Sequence, residues 1–259
     1  MRFWTKDWAN WSARLPSEKR ACLVLGAGDG VGGAVARAFA RDGFEVCITR
    51  RPRHAALLEE MAASIRAEGG AAQAFPMDAR IEADMVGLIG RIEAEVAPLE
   101  VAVFNIGANV RFAITETTAQ VYTKVWEMAA FSGFLMGRET ARVMRPRGRG
   151  TIIFTGATAS LRGGAPYSAF AGAKHALRAL AQSMARELGP AGIHVAHVVI
   201  DGMIDGVFAR ENFADVDERL ARDEILRPEE IAKNYVWLHH QHRSAWTHEM
   251  DLRPWSEAW

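Results

Sequence analysis

The sequence predicts a doubly wound α/β domain, a parallel sheet with helices on both faces in three layers. Two observations carry this expectation. Short apolar runs alternate with stretches of helical period along residues 21–252. The first run ends in Gly26, Gly28, Gly30 and Gly32, and a stripe of Val31, Val35, Ala38 and Phe39 follows. A strand feeding a helix and then another strand makes right-handed crossovers, so the strands run parallel and ligands gather at their carboxyl ends.

The strand-like runs are 21–25, 44–49, 71–75, 101–105, 151–155, 194–200 and 245–252, the last placing Trp246 in an edge strand. Helix-like patterns occupy 31–42, 54–68, 82–97, 118–144, 166–189 and 228–240. The least regular stretch is 201–227, opened by Asp201-Gly202 and closed by Arg227-Pro228. Following the sixth strand, it is expected to lie over the ligand crevice as a lid. Residues 1–18 read as an N-terminal extension to one domain of residues 19–259. Within that extension Trp4, Trp8 and Trp11 form a helical stripe suited to packing on the domain or a neighbouring subunit. Trp255 and Trp259 trail the last strand and suggest a tail packed on another subunit.

Lys plus Arg and Asp plus Glu are 31 each, giving zero formal charge. That balance argues against nucleic acid as a partner. No apolar run is long enough for a membrane span, and the first residues lack a signal-peptide block. The two cysteines, Cys22 and Cys47, fall in predicted strands and read as buried, reduced thiols. The expectation is a soluble cytoplasmic protein. His239, His240, His242 and His248 cluster in sequence but lack metal-binding spacing, so they read as a polar C-terminal turn near a subunit interface, and no metal is expected.

The glycine turn suits a dinucleotide. Glycines let the backbone approach a pyrophosphate, and the helix N-terminus offers free N–H groups and a positive dipole end. Gly26, Gly28, Asp29, Gly30, Val31 and Gly32 form this turn. The second strand ends in Arg50-Arg51-Pro52-Arg53 with no acid. Arginine forks there fit a 2′-phosphate, so NADP(H) is favoured over NAD(H), with Arg50 and Arg51 as contacts. Asp78 is placed for the adenine amino group, beside Ala79. Asn105-Ile106-Gly107 would pass under the ribose, and Ile204 follows the sixth strand on the nicotinamide side.

In this order the motifs resemble those of the short-chain dehydrogenase/reductases over residues 20–252. The features are Gly26-Ala27-Gly28-Asp29-Gly30-Val31-Gly32, then Asp78, Asn105-Ile106-Gly107, Arg162-Gly163-Gly164, and Lys174 in the place of the Tyr-x-x-x-Lys lysine. The resemblance implies a Rossmann fold, a homodimer or homotetramer, and hydride transfer between the cofactor and a small-molecule substrate. Three of the family's four catalytic positions depart from its pattern. Phe170 stands for the tyrosine, Ala157 for the serine and Ala130 for the asparagine; only Lys174 is kept. Leu25 replaces the threonine before the first glycine, Phe104 the first asparagine of a pair, and Ile200-Asp201-Gly202 the Pro-Gly after the sixth strand.

Phenylalanine has no proton to give. General acid catalysis is worth about 10²–10⁴-fold, so the ordinary mechanism does not run as written. Tyr167, Thr158, Ser160, Asp201 and Asp205 are the substitutes within reach in sequence, with Asp201 read first as a turn cap. His175, next to the lysine, reads as surface. Three functions stay open: an NADP(H) oxidoreductase of non-standard mechanism on a carbonyl, alcohol or activated double bond; a catalytically silent cofactor-binding scaffold or sensor; and a lyase or isomerase in the same crevice.

Overall fold

In the computed structural model, residues 19–258 are described; the tryptophan stripe of 1–18 and Trp259 lie outside them. Seven parallel strands form one sheet in the order β3-β2-β1-β4-β5-β6-β7. They are β1 (Ala21–Leu25), β2 (Glu45–Thr49), β3 (Ala71–Ala74), β4 (Leu99–Phe104), β5 (Gly150–Thr155), β6 (Ile193–Ile200) and β7 (Glu249–Leu252). The chain reverses direction of travel between β1 and β4, and that switch opens a crevice at the carboxyl edge.

Helices cover both faces. On one side α1 (Val31–Arg41), α2 (Ala55–Ala67) and α9 (Pro228–His240) bury Val35, Phe39, Leu58, Ile65 and Tyr235 against alternate strand residues. On the other, α3 (Glu82–Arg91), α5 (Ser132–Met144) and α6 (Ser168–Leu188) bury Met85, Leu88, Leu135, Leu177 and Met184. Every residue of β1 and β6 is buried, as expected for strands covered on both faces. The stretch expected as one helix over 118–144 has α4 (Ala119–Trp126), a π-helical turn at Glu127–Phe131, and then α5. A second π turn, Ile92–Val96, ends the helix that begins at Glu82.

The cysteines sit one register step apart on adjacent strands, with Leu23 opposite Cys47 and Cys22 opposite Val46. Successive residues of a strand point to opposite faces. Cys22 therefore enters the α1 core and Cys47 the α3 core, and both thiols are free and buried.

Four expectations are corrected. The last strand is shorter than 245–252: residues 243–245 form a 3₁₀ turn and pairing starts at Glu249. Trp246 precedes the strand and stacks on His194, with ring centroids 4.9 Å apart. The 201–227 stretch is not irregular throughout but carries α7 (Val207–Asn212) and α8 (Val216–Ala221) around a small core of Ala209, Val216 and Ile225. The histidines do not form one polar turn: His242 caps the exposed 243–245 turn, accepting from the Ser244 N–H at 3.3 Å, but the other three are engaged elsewhere. His239 is buried beside Phe39 and Phe44 and shares a 2.9 Å hydrogen bond with Thr151 Oγ1. Burial pushes its pKa down to about 3, with the neighbouring His240 adding to the effect. His240 instead meets Asp42 at 2.7 Å, and His248 meets the Val195 carbonyl at 3.1 Å.

The C-terminal tail folds back on its own chain. Pro254 is buried, and a Cβ added at Gly202 would lie 2.7 Å from its Cδ. The Trp255 indole N–H donates to the Arg222 carbonyl at 3.1 Å, while most of the ring stays exposed. Among the described residues no helix is long and apolar enough to cross a membrane.

Candidate functional site

A cleft of about 240 Å³ opens at the carboxyl ends of β1, β2, β3 and β4. Gly26, Gly28, Arg50, Arg51, Asp78, Ala79, Asn105 and Gly107 line it, all expected from the sequence. Asp29, Gly30, Val31 and Gly32 complete the turn and the start of α1 behind it. Two glycines are required by close approach. Gly26 has φ +86°, and a Cβ there would lie 2.8 Å from the Asn105 carbonyl oxygen. A Cβ on Gly32 would lie 2.2 Å from the Gly26 carbonyl oxygen. Asn105 locks the turn by donating its side-chain N–H to that same Gly26 oxygen at 3.1 Å.

The rim beside β2 is cationic. Arg50, Arg51, His54 and Arg80 all line the cleft. Arg50 is half-buried, and its Nη1 is buried with no hydrogen-bond partner. An added Cβ on Gly28 would lie 4.0 Å from that guanidinium carbon, so the arginine lies along the glycine turn. Burial lowers the pKa of Arg51, and the nearby Arg53 and Arg80 lower it further. His54 is lowered too, by desolvation and then by Arg50, Arg53 and Arg51. Four basic groups kept this close mark a place for an anion.

Arg80 was not foreseen. Its Nε and Nη2 grip Asp78 at 2.9 and 2.6 Å, so the Asp78 carboxylate is bound by an arginine within its own loop. That hydrogen bond holds Asp78 below the usual carboxylate range. The available signal was an arginine two residues beyond the acid. His54, Met128 and Ser132 also line the cleft without having been singled out. Ile204 does not line it; it bridges to Leu226 and packs against the α1 core.

Towards β5 and β6 the crevice changes character. Lys174, on α6, is buried and donates to the Thr155 carbonyl at 2.9 Å and to the Ile106 carbonyl at 3.4 Å. Burial pulls its pKa down from 10.5 to about 8. Its ammonium stands 5.7 Å from the centroid of the Phe170 ring. Phe170 and Ala130 are buried in one apolar cluster with Ala108 and Ala129, and Ala157 packs against it. The three apolar replacements therefore meet as a continuous wall.

The polar substitutes divide. Tyr167 caps the start of α6, half-buried, with the Arg111 guanidinium 5.6 Å from its ring centroid. Ser160 is fully buried and accepts from the Ala157 N–H at 3.1 Å, so its oxygen serves the loop. His175 is exposed, its ring nitrogen 2.9 Å from the Ala171 carbonyl. Asp205 pairs with Arg210 of α7 at 2.9 Å. Asp201 is not a turn cap. It is buried, accepts a short hydrogen bond from the Thr158 hydroxyl, and pairs with Arg253 of the tail at 3.4 Å. Thr158 directly follows Ala157, and the Arg253 contact joins the tail to the crevice.

Known proteins match along nearly the whole domain. A family profile described as enoyl-(acyl carrier protein) reductase matches residues 26–250. The short-chain dehydrogenase/reductase eriH of Hericium erinaceus is 30% identical over 223 residues, 83% of this chain and 88% of its own. A crystal structure of a short-chain dehydrogenase from Rhodopseudomonas palustris is 46% identical, with a TM-score of 0.78 over 91% of this chain and 99% of that one. A variant of actinorhodin polyketide ketoreductase, solved with NADPH, shares the fold at 21% identity, with a TM-score of 0.82 over 92% and 96% of the two chains.

Proposed function

Starting from a chain that belongs to the short-chain dehydrogenase/reductase family, we propose an NADP(H)-binding oxidoreductase with a non-standard proton path. The observation that carries it is the Arg50 guanidinium, whose buried Nη1 lies without a partner beside the glycine turn. A buried donor with no acceptor is costly, and a phosphate oxygen satisfies it. The cleft residues fit the group. The glycine turn takes the pyrophosphate, Arg50 and Arg51 the 2′-phosphate, Asn105 and Gly107 the adenosine ribose, and Lys174 the nicotinamide ribose. The ketoreductase of the same fold was solved with NADPH, and a metagenomic short-chain oxidoreductase with NADP, which supports the assignment by analogy. When bound, the nicotinamide gives or takes a hydride.

The proton is handled by the chain itself. Phe170 and Ala157 offer none. Thr158 donates its hydroxyl hydrogen to Asp201, which leaves its oxygen free to accept. A substrate hydroxyl bonded there passes its proton to Thr158 Oγ1 as the threonine proton moves to Asp201. Arg253 pairs with that carboxylate at 3.4 Å. A second reading, a protein that holds the cofactor without turnover, is favoured by the apolar wall of Ala130, Ala157 and Phe170.

The test is a fluorescence titration of NADPH and NADH. NADPH is expected to bind at least about tenfold tighter, a difference of ~1.4 kcal/mol, and Arg51→Glu to erase the preference. Equal affinities, or tighter NADH, would overturn the assignment.

A further inference from the structure

We propose that His197 and Glu249 are positioning residues: they hold the 156–160 turn, which carries Thr158, by giving the Ser160 hydroxyl hydrogen an acceptor at His197 Nε2. The inference rests on the proton path proposed above, whose first group is Thr158. The hold comes from the last strand and the helix over it. His197 lies two residues beyond Val195 on β6, and Gly156 two beyond Phe154 on β5, so both face the α6 side of the sheet. Glu249 of β7 is the register partner of His197. Arg178 of α6 grips the Glu249 carboxylate at 2.7 and 2.6 Å, and the carboxylate meets His197 Nδ1 at 3.0 Å.

An ionised carboxylate can only accept, so Nδ1 carries the ring hydrogen and donates it to Glu249. Burial pulls the pKa of His197 down to about 4 against the pull of Glu249, and Lys174 and Arg178 add to the lowering. A neutral ring with its hydrogen on Nδ1 has a bare Nε2, which can only accept. That nitrogen is buried and has no partner. Its place under the turn is marked by Gly156, where a Cβ would lie 2.4 Å from Nε2 and 3.0 Å from Ser160 Oγ. The two atoms therefore border the same spot.

Ser160 brings what Nε2 lacks. Fully buried, it takes the Ala157 N–H on its oxygen at 3.1 Å, which leaves its hydroxyl hydrogen to donate. A buried donor and a buried acceptor are costly apart, and they join here directly or through one water. The same turn is reached from the β7 end a second time, since Arg253 pairs with Asp201 and Asp201 accepts from Thr158. Ser160 and Thr158 are thus held from two sides. Neither His197 nor Glu249 lines the cleft, so their part is to place the turn and not to react.

The experiment is long-range proton–nitrogen NMR with amide exchange on the full-length protein. In the parent, His197 Nδ1 is expected to give the signal of a protonated ring nitrogen, and Nε2 that of a bare one accepting a hydrogen bond. Ser160→Ala should move the Nε2 signal downfield, to that of an unbonded nitrogen, and leave Nδ1 where it was. His197→Leu should speed exchange of the Ala157 amide at least about tenfold, and His197→Gln, which keeps a donor and an acceptor, should restore most of the protection. Glu249→Leu should mix the two ring tautomers and speed the same exchange. Turnover of the proposed reaction should fall about tenfold in kcat in His197→Leu while NADPH affinity holds. A hydrogen on Nε2, an Nε2 signal indifferent to Ser160→Ala, or exchange unchanged in His197→Leu would overturn the proposal. So would a loss confined to NADPH affinity. If His197→Leu does not fold, the spectra of the parent and of Ser160→Ala decide alone. Undiminished turnover in Asp201→Asn would remove the proton path, and these spectra would still decide the hold on the turn.

Discussion

The two ends of the crevice are built on opposite terms. At the β2 end the expected motif residues are in place and polar: the glycine turn, Arg50 and Arg51, Asp78 gripped by Arg80, and Asn105 tied to the Gly26 carbonyl. At the β5 end the lining is apolar, with Ala130, Ala157 and Phe170 packed together. Lys174 holds the Thr155 and Ile106 carbonyls, and the π turn at Glu127–Phe131 presents a buried Ala130. The difference teaches that positioning and chemistry are separable. Backbone hydrogen bonds and apolar packing on α6 fix where a reacting group would stand, whatever side chain stands there.

The strongest way to break this contrast is to restore the missing groups. Ala157→Ser with Phe170→Tyr should raise NADPH oxidation on a carbonyl panel by about 10²-fold or more. Phe170→Tyr alone should give little, because no hydroxyl at 157 would hold the substrate oxygen. If the double variant gains nothing although NADPH still binds, the framework at this end is not catalytically competent. Comparable in size is Asp201→Asn. It should lower any turnover of the unmodified chain by about 10²-fold, with NADPH affinity unchanged. Undiminished turnover would remove Thr158 and Asp201 from the proton path and turn attention to Tyr167.

At the other end, Gly32→Ala sharpens the comparison. The added Cβ meets the Gly26 carbonyl oxygen at 2.2 Å and the Asn105 amide at 2.8 Å. NADPH affinity should fall at least about tenfold, and stability by about 1–3 kcal/mol. Normal binding would mean that the turn is looser than its close contacts imply.

A pH-dependent effect is read from Lys174. Burial lowers its folded pKa to about 8, so the cost of the buried ammonium is fully present below pH 8. As pH rises from about 8 towards the ordinary lysine value, the folded chain has released the proton and the unfolded chain still holds it. Stability therefore gains with pH across that window, by on the order of 1–3 kcal/mol. Melting curves of the parent and of Lys174→Met from pH 7 to pH 10 should converge or diverge accordingly, with the gain absent from the variant. Parallel curves would show that the lysine is solvated.

Much of this was legible in the sequence for a physical reason. Buried parallel strands must be apolar throughout, and a turn that touches its neighbour must be glycine, so β1 to β6 and the glycine-lined cleft stand where the motifs put them. What was not legible depends on contacts between distant segments. Trp246 has the composition of a strand residue, but stacking on His194 holds it outside β7. His239 looks polar in sequence, yet α9 turns it onto Phe39 and Phe44. Asp201 resembles a turn residue until Arg253, fifty-two positions on, arrives beside it. Arg80 was hidden because a two-residue spacing says nothing of whether the loop bends the guanidinium back on Asp78. Homodimer or homotetramer formation stays an expectation of the family; the tail bonds its own chain at the Arg222 carbonyl.

The placement of the two cysteines has a practical use. They are the only thiols in the chain, they face opposite sides of the sheet, and both are buried. Burial raises both thiols, and Cys47 reaches about 12, so neither offers a thiolate to a maleimide in neutral buffer. The natural chain is thus a silent background for site-specific dye labelling. A single cysteine placed at Glu211 on α7, with a second at an exposed site such as Glu59 on α2, would carry a donor–acceptor pair with no native thiol to remove first. Distances between α7 and α2 could then be followed one molecule at a time.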